Sequence, residues 1–293
     1  MSTNEAAINS SPGMTVSEGN AGTVVFPRVS QRQMAWQDIR DGVLNWRIWL
    51  LLAYQDIKLR YRRSVLGPFW ITLSMAITVY SMGYLYSHLF HMNINEYFPY
   101  LVAGMLGWSL VSTTVTDTVE TFTTNDSMLK QIKLPYSLYV HRIVSKNLII
   151  FFHNILVIVP VMIIFHDQVS LGWNSLLLFP GLLIIYFNSI CYGLVFAMVG
   201  GRYRDISQLI KSLIQVVFFV TPIMWKPSIL PPSKQFIAYL NPVFSFIELI
   251  RAPLIGYPLT LTNILMVVFM TLIGVAACYF IFVSRRARII YWL

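Results

Sequence analysis

Stretches without a single Asp, Glu, Lys or Arg divide this chain more sharply than any other feature. They run between Arg63 and Glu96, Glu96 and Asp117, Lys146 and Asp167, Asp167 and Arg202, and Arg251 and Arg285. Each can hold the roughly 20 apolar residues that cross a bilayer core. A sixth stretch, Leu213 to Trp225, carries Pro222 and reaches spanning length only when extended back over Leu209 and Ile210. The pattern predicts six spans at about 65–88, 98–121, 143–165, 174–199, 208–226 and 261–284. Spans of this kind are helices, because isolated strands leave their backbone groups unpaired in lipid.

Two segments break the pattern. Residues 36–63 are too charged to cross, yet Trp46, Trp49, Leu50, Ala53 and Ile57 recur at helical spacing, with Arg47, Lys58 and Arg62 on other faces. Such a division predicts an amphipathic helix lying at the membrane interface, either anchoring the first span or bracing a partner. Residues 229–257 lie within a stretch holding six of the 14 prolines, and its apolar pieces, Phe236 to Leu240 and Val243 to Ile250, are too short to cross. A re-entrant pair of half-helices fits this pattern, with broken backbone buried in protein or lining a cavity. Residues 1–35 are rich in Ser, Asn, Thr and Gly, with no apolar signal region, and read as a disordered cytoplasmic tail. The expected fold is therefore an all-α membrane protein: tail, interface helix, then a six-span domain over 64–293 with the half-helix pair before its last span.

Composition agrees, with 56% hydrophobic and 11% charged residues against roughly 25% charged in soluble domains. The net charge of +9 is a matter of topology rather than of nucleic-acid binding. With the amino terminus inside, 18 of the 21 Lys and Arg fall in inside segments; only Lys226, Lys234 and Arg251 fall outside. Excess Lys and Arg mark cytoplasmic loops, so both termini are expected there. Cys191 and Cys278 lie in apolar runs and imply no disulfide. The chain has no Gly-Lys dipeptide, hence no phosphate-binding P-loop. Energy from a nucleotide would have to enter through another polypeptide.

Candidate chemistry is sparse. Glu248 and Arg251, three apart, are expected to pair or to face water, as a transport feature or as an ordinary structural ion pair. Asp117 and Glu120 share a helix face one or two turns from the cytoplasmic boundary, too close to it to favour a proton relay. His88 and His91 have no carboxylate at ligand spacing beyond Glu96, so no metal is expected.

The run DIKLRYRRSVLGPFW, Asp56 to Trp70, resembles the signature of type-2 ABC exporter permeases, above all the branch that exports O-antigen, capsular polysaccharide and teichoic acid. Basic residues anchor the interface, and Pro68 opens a helix where its missing N–H costs nothing. FPYLVAGMLGWSL at 98–110, NDSMLKQIKLPYSLYV at 125–140, GRYRDISQLI at 201–210 and NPVF at 241–244 are similar to the family in the same order. The resemblance implies two copies of the chain around a channel in a bacterial inner membrane. It implies two cytoplasmic ATPase subunits, which would hold ATP and magnesium, while this chain binds no cofactor and catalyses nothing itself. It implies a coupling helix within 125–138, bearing Asp126, Met128, Leu129, Lys130, Ile132 and Lys133; Lys130 and Lys133 also read as plain topology markers. Arg60, Arg62, Arg63, Arg202, Arg204 and Asp205 would form a cytoplasmic gate. Aromatic rings stack on sugar C–H faces, so Tyr80, Tyr84, Tyr97, Tyr100 and Trp108 are candidates to line a glycan channel; an interfacial belt facing lipid reads equally from them. The expected cargo is a lipid-linked polysaccharide of O-antigen or capsule type. A teichoic acid, drug or smaller lipid is the alternative, and an integral-membrane enzyme acting on a lipid-linked sugar is a more distant one.

Overall fold

The computed structural model describes residues 30–292 apart from 90 and 171. Most of the expected tail lies outside the described residues, and its last five residues already belong to a helix. The helices are α1 (Gln31–Leu44), α2 (Trp46–Arg60), α3 (Phe69–Leu89), α4 (Ile94–Val119), α5 (Thr121–Thr124), α6 (Asp126–Gln131) and α7 (Tyr136–Asn154). There follow α8 (Ile158–Ile164), α9 (Leu178–Arg202), α10 (Asp205–Val220), α11 (Phe236–Tyr239), α12 (Pro242–Ile255), α13 (Leu261–Arg285) and α14 (Ile289–Trp292). No strand occurs among the described residues. The all-helical class is as expected.

Among the described residues, four helical stretches are long and apolar enough to cross a membrane: Ile94–Val119, Tyr136–Ile164, Trp173–Arg202 and Leu261–Trp292. Helix α3 has the length, at 21 residues, but Ser, Thr and Tyr dilute its apolar character. Helix α10 is the correction. Its 16 residues span only about 24 Å, short of the roughly 30 Å hydrocarbon core. It stops because Thr221 precedes Pro222, and proline sterics push the preceding residue out of the helical region; Thr221 has φ −85° and ψ 136°. Residues 221–226, expected to be helical, are irregular.

The interface segment also differs from expectation. It is two helices, interrupted at Asn45, whose side-chain amide donates to the Asp41 carbonyl at 2.8 Å. Ala53 and Ile57 are buried, whereas Trp46 and Leu50, expected on the same face, are exposed. The half-helix pair proves unequal: α11 is a single turn, and α12 is a complete 14-residue helix. Asn241 caps α12 by accepting from the Val243 and Phe244 N–H groups, Pro242 follows it, and Gly256 ends the helix at φ 97°. Only glycine adopts that left-handed C-terminal geometry without strain.

At the centre, α4 packs against α3, α7, α9, α10 and α12. Residues 101–108 of α4 and 247–254 of α12 are buried without a break, the mark of helices enclosed on all sides. Glycines permit the close approach. A Cβ at Gly104 would sit 2.1 Å from the Arg251 guanidinium, and one at Gly181 would sit 2.7 Å from the Leu249 carbonyl. Small residues at crossings let helix backbones meet where no hydrophobic effect drives them together.

Candidate functional site

The loop between α4 and α7 carries α5 and α6 to one end of the bundle. Charged side chains hold this end together. Arg142 of α7 binds Asp56 of α2 through both carboxylate oxygens, at 2.8 and 2.6 Å, and donates to the Asn125 side chain at 3.0 Å. Its planar fork suits such bidentate pairing. Asp38 of α1, only 3% exposed, accepts from the Tyr136 and Ser137 N–H groups at 3.1 and 3.0 Å. It thereby satisfies the first N–H groups of α7, which have no intrahelical partner. The Ser137 hydroxyl donates to the Asp38 carbonyl, and Arg286 donates to its carboxylate at 2.8 Å. Asp38 thus joins α1, the start of α7 and the turn after α13.

Within α6, Lys130 pairs with Asp126 at 2.8 Å. Lys133 and Ile132 are exposed, Ile132 at 48%, and Met128 is partly buried. Leu129 does not share their surface. It is buried in a cluster with Phe122, Tyr136 and Tyr139 of its own chain. Leu129, expected on the coupling helix with Met128 and Ile132, is therefore no part of its exposed surface. Leu129→Asp should cost about 3 kcal/mol by burying an unpaired polar group, whereas Ile132→Asp should stay within about 0.5 kcal/mol. Thermal unfolding of the two variants in detergent checks the difference.

Asp126 and Arg204 line one cavity of about 470 Å3, together with Glu120, Gly200, Ser207 and Trp292. Arg202 lies over the rings of Tyr203 and Trp292, 4.9 and 5.4 Å from their centroids, and Asp205 is exposed in the first turn of α10. Arg60, Arg62 and Arg63 are exposed and lie apart from this group. Arg62 lines a separate groove of about 790 Å3 with Lys58, Tyr61, Pro68 and His153. The six residues expected to form one gate thus fall into two sets.

The opposite end is organised by Arg251, which has no exposed surface. Its guanidinium donates to Glu248 at 2.7 Å and to the carbonyls of Pro222 and Ile223 at 3.0 and 3.4 Å. It lies 3.9 Å from the ring centroid of Tyr100, a cation–π stack in a water-free setting. The Tyr257 hydroxyl donates to the other Glu248 oxygen at 2.6 Å. Tyr97 and Tyr100 donate to the Met224 and Pro222 carbonyls, at 2.8 and 3.2 Å.

These contacts revise the aromatic candidates. Tyr97 is fully buried and presents no ring face to a sugar, and Trp108 packs on Phe218 at 5.4 Å. The Tyr80 hydroxyl donates to the Val157 carbonyl at 2.6 Å. Only Tyr84 among the five is largely exposed, at 65%. Four others pack inward because a tyrosine or tryptophan buries a large apolar body while its polar tip finds a partner.

Sequence reasoning missed Asp38, Asp56, Arg142 and Arg286. Asp38 and Asp56 are acids within a strongly basic stretch, and that contrast was the one available signal. Asp117, noticed for its intramembrane position, pairs with Lys146 at 2.8 Å. No cluster able to hold a metal ion occurs among the described residues.

Comparison with known proteins agrees with this architecture. The chain is 22% identical to an O-antigen export system permease protein RfbA of Klebsiella pneumoniae over 204 residues, 68% of this chain and 76% of the relative. It is 23% identical to the protein of the same name from Myxococcus xanthus, over 69% of this chain and 77% of that one. The profile described as ABC-2 type transporter matches residues 47–255, from the first turn of α2 to the end of α12. With most of its length covered by that match, this membrane-spanning chain belongs to the ABC-2 type transporter permeases, whose task is transport.

Proposed function

We propose that this chain is the transmembrane half of an ATP-driven exporter that moves a lipid-linked polysaccharide, of O-antigen or capsule type, from the cytoplasm to the periplasm. The observation that carries the reading is the α5–α6 platform. Short helices with an exposed Ile132 are tied at Asn125 to Arg142 of a spanning helix, which in turn binds Asp56 of the interface helix α2. Force applied there by a partner is transmitted through rigid, charge-paired elements. The named relatives act in O-antigen export, which supports the choice of cargo. In the inner membrane, the division of Lys and Arg puts the α6 end and both termini in the cytoplasm, and Arg251 at the periplasmic end. Helix α3, and α10 extended by the irregular residues 221–226, complete six membrane-crossing segments, with α12 dipping in from the periplasm. ATP and magnesium belong to two separate ATPase subunits.

Ile132→Asp tests the docking contact. Membrane levels of this chain should be normal, the ATPase subunit should fail to co-purify, and glycan should stay inside the cell. A stable complex with full export would remove Ile132, and with it α6, from the contact.

A second copy of the chain completes the channel. Leu209, Leu213, Val216 and Val220 form a stripe at spacings of four, three and four, each at least half exposed. That is the spacing of a seam between paired helices. Val216→Cys should give a cross-linked dimer on oxidation in membranes, since Cys191 and Cys278 are buried. A chain that remains monomeric under those conditions would contradict pairing along α10.

A further inference from the structure

Helix α10 is fastened unusually. None of its sixteen residues is buried, although Ile214, Val217 and Phe218 rest on the core. Its firmest attachments are polar and sit at its two ends. At the α6 end, Glu120 accepts from Ser207 at 2.6 Å and from Lys211. At the other end, the irregular residues 221–225 are held one after another. Asn241 binds the Thr221 hydroxyl, Arg251 and Tyr100 bind the Pro222 carbonyl, Arg251 reaches Ile223, Tyr97 binds Met224, and Tyr100 reaches Trp225.

The two attachments differ in what it takes to break them. The Glu120 and Lys211 side chains are 37% and 44% exposed, so water replaces each partner when they separate and little stability is lost. Arg251 has no exposed surface, and parting it from its acceptors would strand a buried charge. One end of α10 is therefore releasable and the other fixed. Glu120 is also the junction residue, ending α4 and beginning α5, so any tilt of α5 and α6 moves its backbone first. A cavity of about 470 Å3 beside this contact is lined by Glu120, Asp126, Gly200, Arg204 and Ser207. Asp117, one turn earlier, is bound to Lys146 of α7 instead and has no part in holding α10.

We propose that Glu120 is a positioning residue for transport: it latches the cytoplasmic end of α10, and releasing and remaking that latch passes movement of α5–α6 to α10, which swings about residues 221–225. This rests on the transport reading above. Transport then requires the Glu120 contact to break and re-form in each cycle, whereas a purely structural contact would stay closed.

The test uses the assembled transporter in its own membrane. Glu120→Lys sets two cations against each other; export should fall at least about tenfold while the ATPase subunit stays bound. Adding Lys211→Glu reverses the pair and should bring export back to within about threefold of the natural protein, a coupling that independent sites do not show. Thr124→Cys with Arg204→Cys, positions that line the same cavity and leave Glu120, Ser207 and Lys211 in place, joined by a short cleavable thiol cross-linker, should block export until the linker is cut. Wild-type export by the locked pair would overturn the proposal, because a latch that never opens would then suffice. Failure of the charge reversal to restore export, with both chains present at normal levels, would overturn it as well. If Glu120→Lys fails to accumulate, the cross-linked pair decides alone. Failure of the transport reading looks different: the natural complex itself would show no ATP-dependent export.

Discussion

Replacing Glu248 with Leu should destabilise the bundle by about 3–5 kcal/mol, the loss expected when one partner of a buried ion pair is removed. Arg251 would keep its charge with no exposed surface, and the Tyr257 hydroxyl would lose the carboxylate it donates to. Some compensation remains, since the Pro222 and Ile223 carbonyls still accept from the guanidinium. They carry partial charge only, so they soften the loss without cancelling it. Replacing both partners, Glu248→Met with Arg251→Met, should recover part of the stability, because no buried charge is then left unpaired. Thermal unfolding in detergent, followed by tryptophan fluorescence, reads both variants. A double variant as unstable as Glu248→Leu would mean that the carbonyl contacts, not the ion pair, carry the stability.

Asp38→Ala should be nearly as damaging, at about 3 kcal/mol, although no membrane-buried pair is involved. It leaves the buried Tyr136 and Ser137 N–H groups at the start of α7 without acceptors, at about 1–3 kcal/mol for each such group. Arg286 loses its partner too, but its side chain is 23% exposed and water takes over. Arg286→Ala should therefore cost much less than Asp38→Ala. Hydrogen exchange of the Tyr136 and Ser137 amides checks the mechanism: both should exchange faster in Asp38→Ala and remain protected in Arg286→Ala. Equal exchange in the two variants would contradict the capping role.

Much of the helix layout was legible because lipid imposes a simple rule. A charge-free run of about 20 residues has few alternatives to a spanning helix, and α4, the α7–α8 run, α9 and α13 followed from it. Helix α10 was overextended. Its apolar run continues to Trp225, while the backbone is stopped at Thr221 by Pro222, a local steric effect that hydropathy does not register. The proline-rich stretch was legible as broken structure, yet the unequal lengths of α11 and α12 depended on capping by Asn241 and Gly256. Leu129 and Tyr97 show a different limit. The resemblance placed Leu129 on a coupling helix with Met128 and Ile132, and tertiary packing turned its side chain inward while Ile132 stayed exposed. Tyr97 looked like a ring available to a ligand, and its hydroxyl instead ties down a carbonyl 127 residues away. The contacts that organise the α6 end, Arg142 with Asp56 and Asp38 with Ser137, join residues 86 and 99 apart. A single sequence carries no local mark of such pairs.

The central claim is that this chain, driven by a separate ATPase, carries a lipid-linked polysaccharide across the membrane. Inverted inner-membrane vesicles containing the chain and its ATPase subunit test it directly, with labelled lipid-linked glycan supplied on the outer, originally cytoplasmic, face. The account predicts ATP-dependent movement of glycan into the lumen, absent from vesicles that lack this chain. Equal glycan uptake with and without the chain, or no uptake by the intact pair in the presence of ATP, would contradict it.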